Sequence, residues 1–266
     1  MAAKFTVCAL FYGDHSDLAR RLLSSLRRSE WPQDILYRFG INNVCSETLK
    51  TIEAFYAAYP GRVDVLRGFE PYYKYPLMRR MYENLLTPYA MWFDDDSWIG
   101  DGAPNTWFDD VEAKLQTCEL VGAPYTMKLR GNQQQFIKDQ PWYTGKPISN
   151  PMTFATGGWL AACSEVYNGN DWPPASFEHN GGDVMLGAMC EQQGYRIGKF
   201  TQHIGINADD SMKCSSAPRR GANTTPIGVN YTPSQLTPEQ RKEVIKNGWG
   251  DPPPPKKSFF DILDGK

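Results

Sequence analysis

Residues Phe5 to Tyr12 read FTVCALFY, apolar at odd and even positions alike. Such a strand has to be covered on both faces, as in a mainly parallel sheet. Gly13-Asp14 turns the chain. Leu18, Leu22 and Leu26 then recur at helical spacing through DLARRLLSSLRR until Trp31-Pro32 stops the helix. The alternation goes on with DILYRFGINN as a strand, 46–58 as a helix and Val63–Leu66 as a strand. A helix carries Met78, Met81, Tyr82 and Leu85 at i, i+3, i+4 and i+7, and YAMWFDDD follows as a strand. Strands alternating with helices of this length wind into βαβ units, whose ligands gather at the carboxyl ends of the strands. Gly13-Asp14, Asn42-Asn43 and Asp94-Asp95-Asp96 all stand at such ends.

Beyond residue 105 the pattern gives a helix (Trp107, Val111, Leu115), a strand at Leu120–Tyr125 and a loop rich in Gln, Pro and aromatics from 129 to 151. A strand TFATGGWLAA, a Pro-rich turn, a helix opening at Asp183 (Val184, Leu186, Met189) and a strand YRIGKFTQHIGI complete a second half. The chain has 266 residues, 41% of them apolar and 22% charged, enough to bury the core of one α/β domain over 1–246. The last stretch, 247–266, reads NGWGDPPPPKKSFFDILDGK, a stiff Pro-rich spacer and a hydrophobic tail. No apolar run approaches the roughly 18 residues of a membrane helix, and the N-terminus lacks a small-residue cleavage site. Six scattered cysteines show no C-x-x-C spacing, which fits reduced thiols. The expectation is a cytoplasmic chain without a membrane span.

The strongest chemical signal is Trp92-Phe93-Asp94-Asp95-Asp96-Ser97-Trp98, three carboxylates where an apolar strand ends. Like charges so close need a compensating cation, and oxygen ligands suit Mg²⁺ or Mn²⁺ bridging a diphosphate. A solvated acidic turn is the plain alternative.

This arrangement resembles the nucleotide-sugar glycosyltransferases of the GT-A fold, in their family-2-like and Fringe-like inverting branches. That resemblance runs in order over residues 5 to 205. In it the triplet stands for the D-x-D motif, and INNVCSET at 41–48 matches the strand-end segment that receives the nucleobase. Arg79 and Arg80 match the basic position on the helix before the motif. FATGGWLAACSEVY matches the Gly-Gly segment where backbone approaches the donor sugar, and EHNGGDVMLGAMCEQQGY the segment whose acidic residue opens a helix. The implied roles are Asp183 as catalytic base, and Asp94, Asp96 and His203 as ligands of Mn²⁺ or Mg²⁺, with His179 competing for the last place. Tyr12, Asn42, Asn43, Arg79, Arg80, Asp95, Gly157 and Gly158 would receive the UDP-sugar. Residues 1–104 then form a nucleotide-binding half and 105–246 an acceptor-binding half. An Asp at a helix start is also an ordinary N-cap, and Gly157-Gly158 an ordinary strand bend. Hydrolysis by Asp95 with Asp183, or a binding module without turnover, are the competing readings.

For the acceptor, Trp142, Tyr143 and Trp159 offer rings for stacking. Lys128 and Arg130 in the loop 121–150, and Arg219 and Arg220 in 211–224, offer positive charge. The net charge is only −2. A hydroxymethylated pyrimidine in DNA, as in bacteriophage glucosyltransferases, is the lead acceptor, and a saccharide, glycolipid or protein the alternative. The tail KKSFFDILDGK is similar to the peptides that dock into sliding clamps, and a tail packed on its own domain is the bland reading.

Overall fold

A computed structural model of the chain describes residues 2–13, 15–67, 74–173 and 181–206. Asp14, His179, the basic segment 211–224 with Lys213, Arg219 and Arg220, and the C-terminal spacer and tail lie outside the described residues.

The elements run β1 (Phe5–Gly13), α1 (Ser16–Leu26), β2 (Leu36–Val44), α2 (Ser46–Ala58), β3 (Val63–Arg67), α3 (Lys74–Tyr82), β4 (Tyr89–Phe93) and β5 (Ser97–Ile99). Then come α4 (Trp107–Leu115), β6 (Leu120–Met127), α5 (Gly131–Lys138), β7 (Met152–Cys163), α6 (Glu165–Asn168), α7 (Gly182–Gln193), β8 (Ile197–Lys199) and β9 (Ile204–Ile206). Seven strands form one sheet in the order β3-β2-β1-β4-β7-β6-β8, while β5 and β9 pair separately. Only β7 runs against its neighbours β4 and β6; every other pair in the large sheet is parallel.

The period of two explains why β1 is apolar throughout. Phe5, Val7, Ala9 and Phe11 point into one core with Leu22, Phe55 and Trp107, from α1, α2 and α4. Cys8 and Leu10 point into the other with Leu77, Met81 and Met185, from α3 and α7. β4 divides in the same way, Met91 and Phe93 to one side and Ala90 and Trp92 to the other. Burying side chains of this size stabilises the fold by about 1.5–3 kcal/mol each, so neither face can be given up to water.

Two segments depart from the sequence reading. The span 129–151, expected as a loop, contains α5, whose Gln133 and Ile137 are both buried one turn apart. Straight-chain Gln residues lose little freedom in a helix, so a Gln-rich stretch can fold this way when one face has something to pack on. YRIGKFTQHIGI, expected as one strand, is two. β8 pairs with β6, and β9 pairs with β5. Between them His203 adopts a left-handed φ of 60°, which breaks the extended run.

The antiparallel insertion of β7 shapes the functional end. Phe93, the last residue of β4, pairs with Trp159. Residues 152–158 therefore continue past the carboxyl end of β4, and 152–155 pair there with 124–127 of β6. At about 3.3 Å per residue this two-stranded ribbon overhangs the strand end by roughly 20 Å. Among the described residues no helix is long and apolar enough to cross a membrane.

Candidate functional site

The end of β4, the start of α3, the middle of β7 and the start of α7 meet at one point. Asp94 follows β4, and its N–H donates to the Gly158 carbonyl at 2.9 Å. Lys74, 8% exposed at the start of α3, lies with Nζ 2.7 Å from Asp94 Oδ1 and 2.8 Å from Oδ2. It also donates to the Gly157 carbonyl at 3.1 Å. The indole N–H of Trp92 donates to Asp94 Oδ1 at 2.8 Å. Asp183 completes the group: a Cβ added at Gly157 would lie 3.3 Å from Lys74 Nζ and 3.7 Å from Asp183 Cβ. The glycine is what lets lysine, carboxylate and strand come this close.

Asp183 stands in the first turn of α7, where the helix dipole favours a negative charge. Its Oδ1 accepts the Val184 N–H at 2.9 Å. Burial pushes the carboxyl above its usual value, and Lys74 together with backbone N–H donors pulls it back in part. The entry to α7 is fixed by close packing. Gly181 has a φ of 75°, and a Cβ at Gly182 would sit 2.2 Å from the Tyr75 ring. Burial, then the charges of Asp183 and Asp94, hold the Tyr75 hydroxyl well above its usual value, so Tyr75 stays neutral.

Asp94 and Asp95 turn to different partners. Asp94 goes to Lys74. Asp95, 7% exposed, turns inward to His15, with Nδ1 2.9 Å from Oδ2, and the Tyr12 ring meets that imidazole edge-on. Asp96 adjoins Arg21, whose Nη2 donates to the Asp96 carbonyl at 3.3 Å and whose guanidinium lies 3.5 Å over Trp98. Among the described residues no group of three or more His, Cys, Asp or Glu side chains comes together to hold a metal ion. The expected set of Asp94, Asp96 and His203 is thus not assembled. Asp94 faces an ammonium with both oxygens. His203 is exposed where β9 joins β5, its carbonyl accepting the Gly100 N–H at 2.6 Å. As placed here, these residues do not fit a three-ligand metal centre.

Of the donor-side residues, Tyr12 and Asn42 are register partners on β1 and β2. Asn43 is exposed with a φ of 49°, a conformation that Asn tolerates. Arg79 and Arg80 are otherwise engaged than expected. Arg79 pairs with Asp171 at 2.5 Å and donates to the Pro173 carbonyl at 2.6 Å. Arg80 donates to the Arg67 carbonyl at 3.3 Å. Both strap α3 to neighbouring backbone.

The acceptor-side aromatics need a larger correction. Trp142 is 4% and Trp159 1% exposed, one in each core, so neither offers a ring face, and Tyr143 packs against the second core. The cause is that residues 142–146 fold onto the end of α7. Gln193 donates to the Trp142 carbonyl at 2.8 Å, and Thr144 and Lys146 bond to Gln192. Lys128 and Arg130 are exposed where β6 leads into α5. Tyr125, which the sequence reading passed over, is 62% exposed on the ribbon, pairs with Phe154 and meets its ring at 5.9 Å.

No protein-family model and no curated protein sequence matches the chain. Solved structures do. S. aureus TarS aligns at 14% identity and a TM-score of 0.54, over 79% of this chain and 37% of that one. Its 1–349 form in complex with UDP aligns at 14% and 0.51, over 75% of this chain and 58% of that one. The mannosyltransferase PcManGT from Pyrobaculum calidifontis, in complex with GDP-Man and Mn²⁺, aligns at 15% and 0.51, over 76% and 56%. The chain spans less than two thirds of each. At such identities the likeness speaks for the backbone arrangement, and with the strand order above it establishes an α/β fold of the GT-A, Rossmann-like type.

Proposed function

We propose that the chain is a glycosyltransferase that moves a sugar from a nucleotide sugar to an acceptor hydroxyl with inversion. One placement carries this reading: Asp183 opens α7 against Gly157, beside Lys74 and Asp94 at the carboxyl end of β4. Asp183 takes the proton of the acceptor hydroxyl as the new O–C1 bond forms, and the C1–O bond to the nucleoside diphosphate breaks on the opposite side. Donor recognition falls to Tyr12, Asn42 and Asn43 at the ends of β1 and β2, with UDP as the proposed nucleotide. Support for a nucleotide-sugar donor comes from the fold neighbours, one carrying UDP and another GDP-Man with Mn²⁺.

The proposed acceptor is a 5-hydroxymethylpyrimidine in DNA. Tyr125, Lys128 and Arg130 are all exposed along the overhanging β6 ribbon and the turn that follows it. An aromatic ring followed by cations suits a base with its phosphates. A saccharide acceptor is the second reading, favoured by the same Tyr125 face. A screen decides: UDP-glucose, UDP-galactose and UDP-N-acetylglucosamine with Mn²⁺ and with chelator, each against hydroxymethylated DNA, plain DNA and simple sugars. UDP release and product mass are scored. Mass gain on hydroxymethylated DNA alone is expected; gain on sugars alone overturns the DNA reading, and silence throughout overturns the transferase.

Tyr125→Ala is expected to raise the acceptor KM by roughly tenfold, the worth of about one stacked ring, with kcat and donor KM little changed. Tyr125→Phe keeps the ring and the affinity. Steady-state kinetics with the acceptor found in the screen checks this, and an unchanged KM removes Tyr125 from the acceptor path.

A further inference from the structure

Lys74 is the least expected member of this centre. It is nearly buried, and burying an ammonium is costly unless it is paired and hydrogen-bonded. Its contacts are Asp94 at 2.7 and 2.8 Å and the Gly157 carbonyl at 3.1 Å, and the Trp92 and Tyr75 rings lie within 5.5 and 5.9 Å of Nζ. The same ammonium acts on Asp183 across Gly157. A single cation from α3 therefore ties the end of β4 to the Gly-Gly segment of β7 and acts by its charge on the first turn of α7.

We propose that Lys74 is a positioning residue for the Asp183 base, a cationic clamp that fixes Asp94 and Gly157 and keeps the Asp183 carboxylate ionised in a site poor in water. The proposal rests on the transferase reading only for the word base; the clamp itself is a property of the free protein. Burial alone drives Asp183 toward its protonated form, in which it cannot accept a proton, and Lys74 opposes that drive. The other titratable groups at this centre are Asp94, which holds the same ammonium with both oxygens, and Tyr75, which is neutral.

The test reads the Asp183 carboxyl carbon by NMR across pH in the full-length chain, free of substrate, for wild type, Lys74→Met, Lys74→Arg and Asp94→Asn. Lys74→Met should raise the titration midpoint of Asp183 by about one to two pH units, the usual size of a close opposite charge, and Lys74→Arg should restore most of it. Asp94→Asn removes a competing negative charge and should lower the midpoint, so the sign is tested even if Lys74→Met does not fold. The acidic limb of kcat/KM should move with each midpoint. A midpoint unmoved in Lys74→Met, or unmoved or raised in Asp94→Asn, overturns the clamp. Shifted midpoints without any sugar transfer sustain the clamp and overturn the transferase. Transfer that dies in Asp183→Asn while midpoints stay fixed does the reverse.

Discussion

Asp183→Asn is expected to lower sugar transfer by about 10³-fold, within the range for loss of a positioned general base. UDP binding should stay within about threefold and the fold intact, since the substitution changes almost no volume and the first turn of a helix tolerates Asn. Local geometry supports the separation. The Asp183 Oδ1 that accepts the Val184 N–H is replaced by an amide oxygen that can accept the same bond. The side chain is already pushed toward its neutral form by burial, so a neutral amide is not a costly tenant. What is lost is the lone pair that takes the proton. Single-turnover transfer alongside calorimetric titration of UDP checks both halves. Full activity in the variant would show that another group receives the proton, and loss of UDP binding would make Asp183 a donor ligand. If Asp183 is the base proposed above it has to be ionised, so activity should fall as pH drops through its raised value, and at a higher pH than for an ordinary carboxylate.

The parts of this molecule that were legible in the sequence are those set by local pattern. β1 and β4 announce themselves because strands covered on both faces must be apolar at nearly every position, and the burial confirms it residue by residue in Val7, Cys8, Ala9 and Leu10. Asp183 was singled out by the resemblance to GT-A glycosyltransferases, with the helical pattern directly behind it as local support. Lys74 was not, because its meaning comes from partners such as Asp94 and the Gly157 carbonyl, 20 and 83 residues away. Nothing in KYPLMRR distinguishes it from a solvated lysine. Trp142 misled for the related reason that an aromatic in a polar stretch looks available until α7 arrives to bury it. The acidic triplet suggested one shared cation, whereas Asp94 turns to Lys74 and Asp95 to His15, drawn from separate places in the chain.

How tightly α7 is held decides whether Asp183 is placed at all, and Gly187→Ala measures it. In an isolated helix this change would stabilise, since Gly costs about 1 kcal/mol relative to Ala. Here the sign is set by what a Cβ would meet: the Thr153 carbonyl oxygen at 2.5 Å, Phe154 Cβ at 2.6 Å and Phe154 Cα at 2.9 Å. Two of these atoms are backbone of β7 and the third is fixed to it, so no side-chain rotation relieves the clash. The helix must lift from the sheet. Overpacking of this kind costs about 2–3 kcal/mol, which for a chain of this size lowers the melting temperature by roughly 5–10 °C. Gly187 lies one helical turn after Asp183, on the face turned to β7, so lifting the helix also draws Asp183 away from Gly157. A displacement near 1 Å is enough to cost about 10²-fold in rate. Gly131→Ala is the control, because a Cβ there meets nothing within 4 Å; calorimetry should find it near neutral. If Gly187→Ala melted with wild type and kept its activity, α7 would not be seated on β7 this closely, and the position of Asp183 would have to be set by Tyr75 against Gly182 alone.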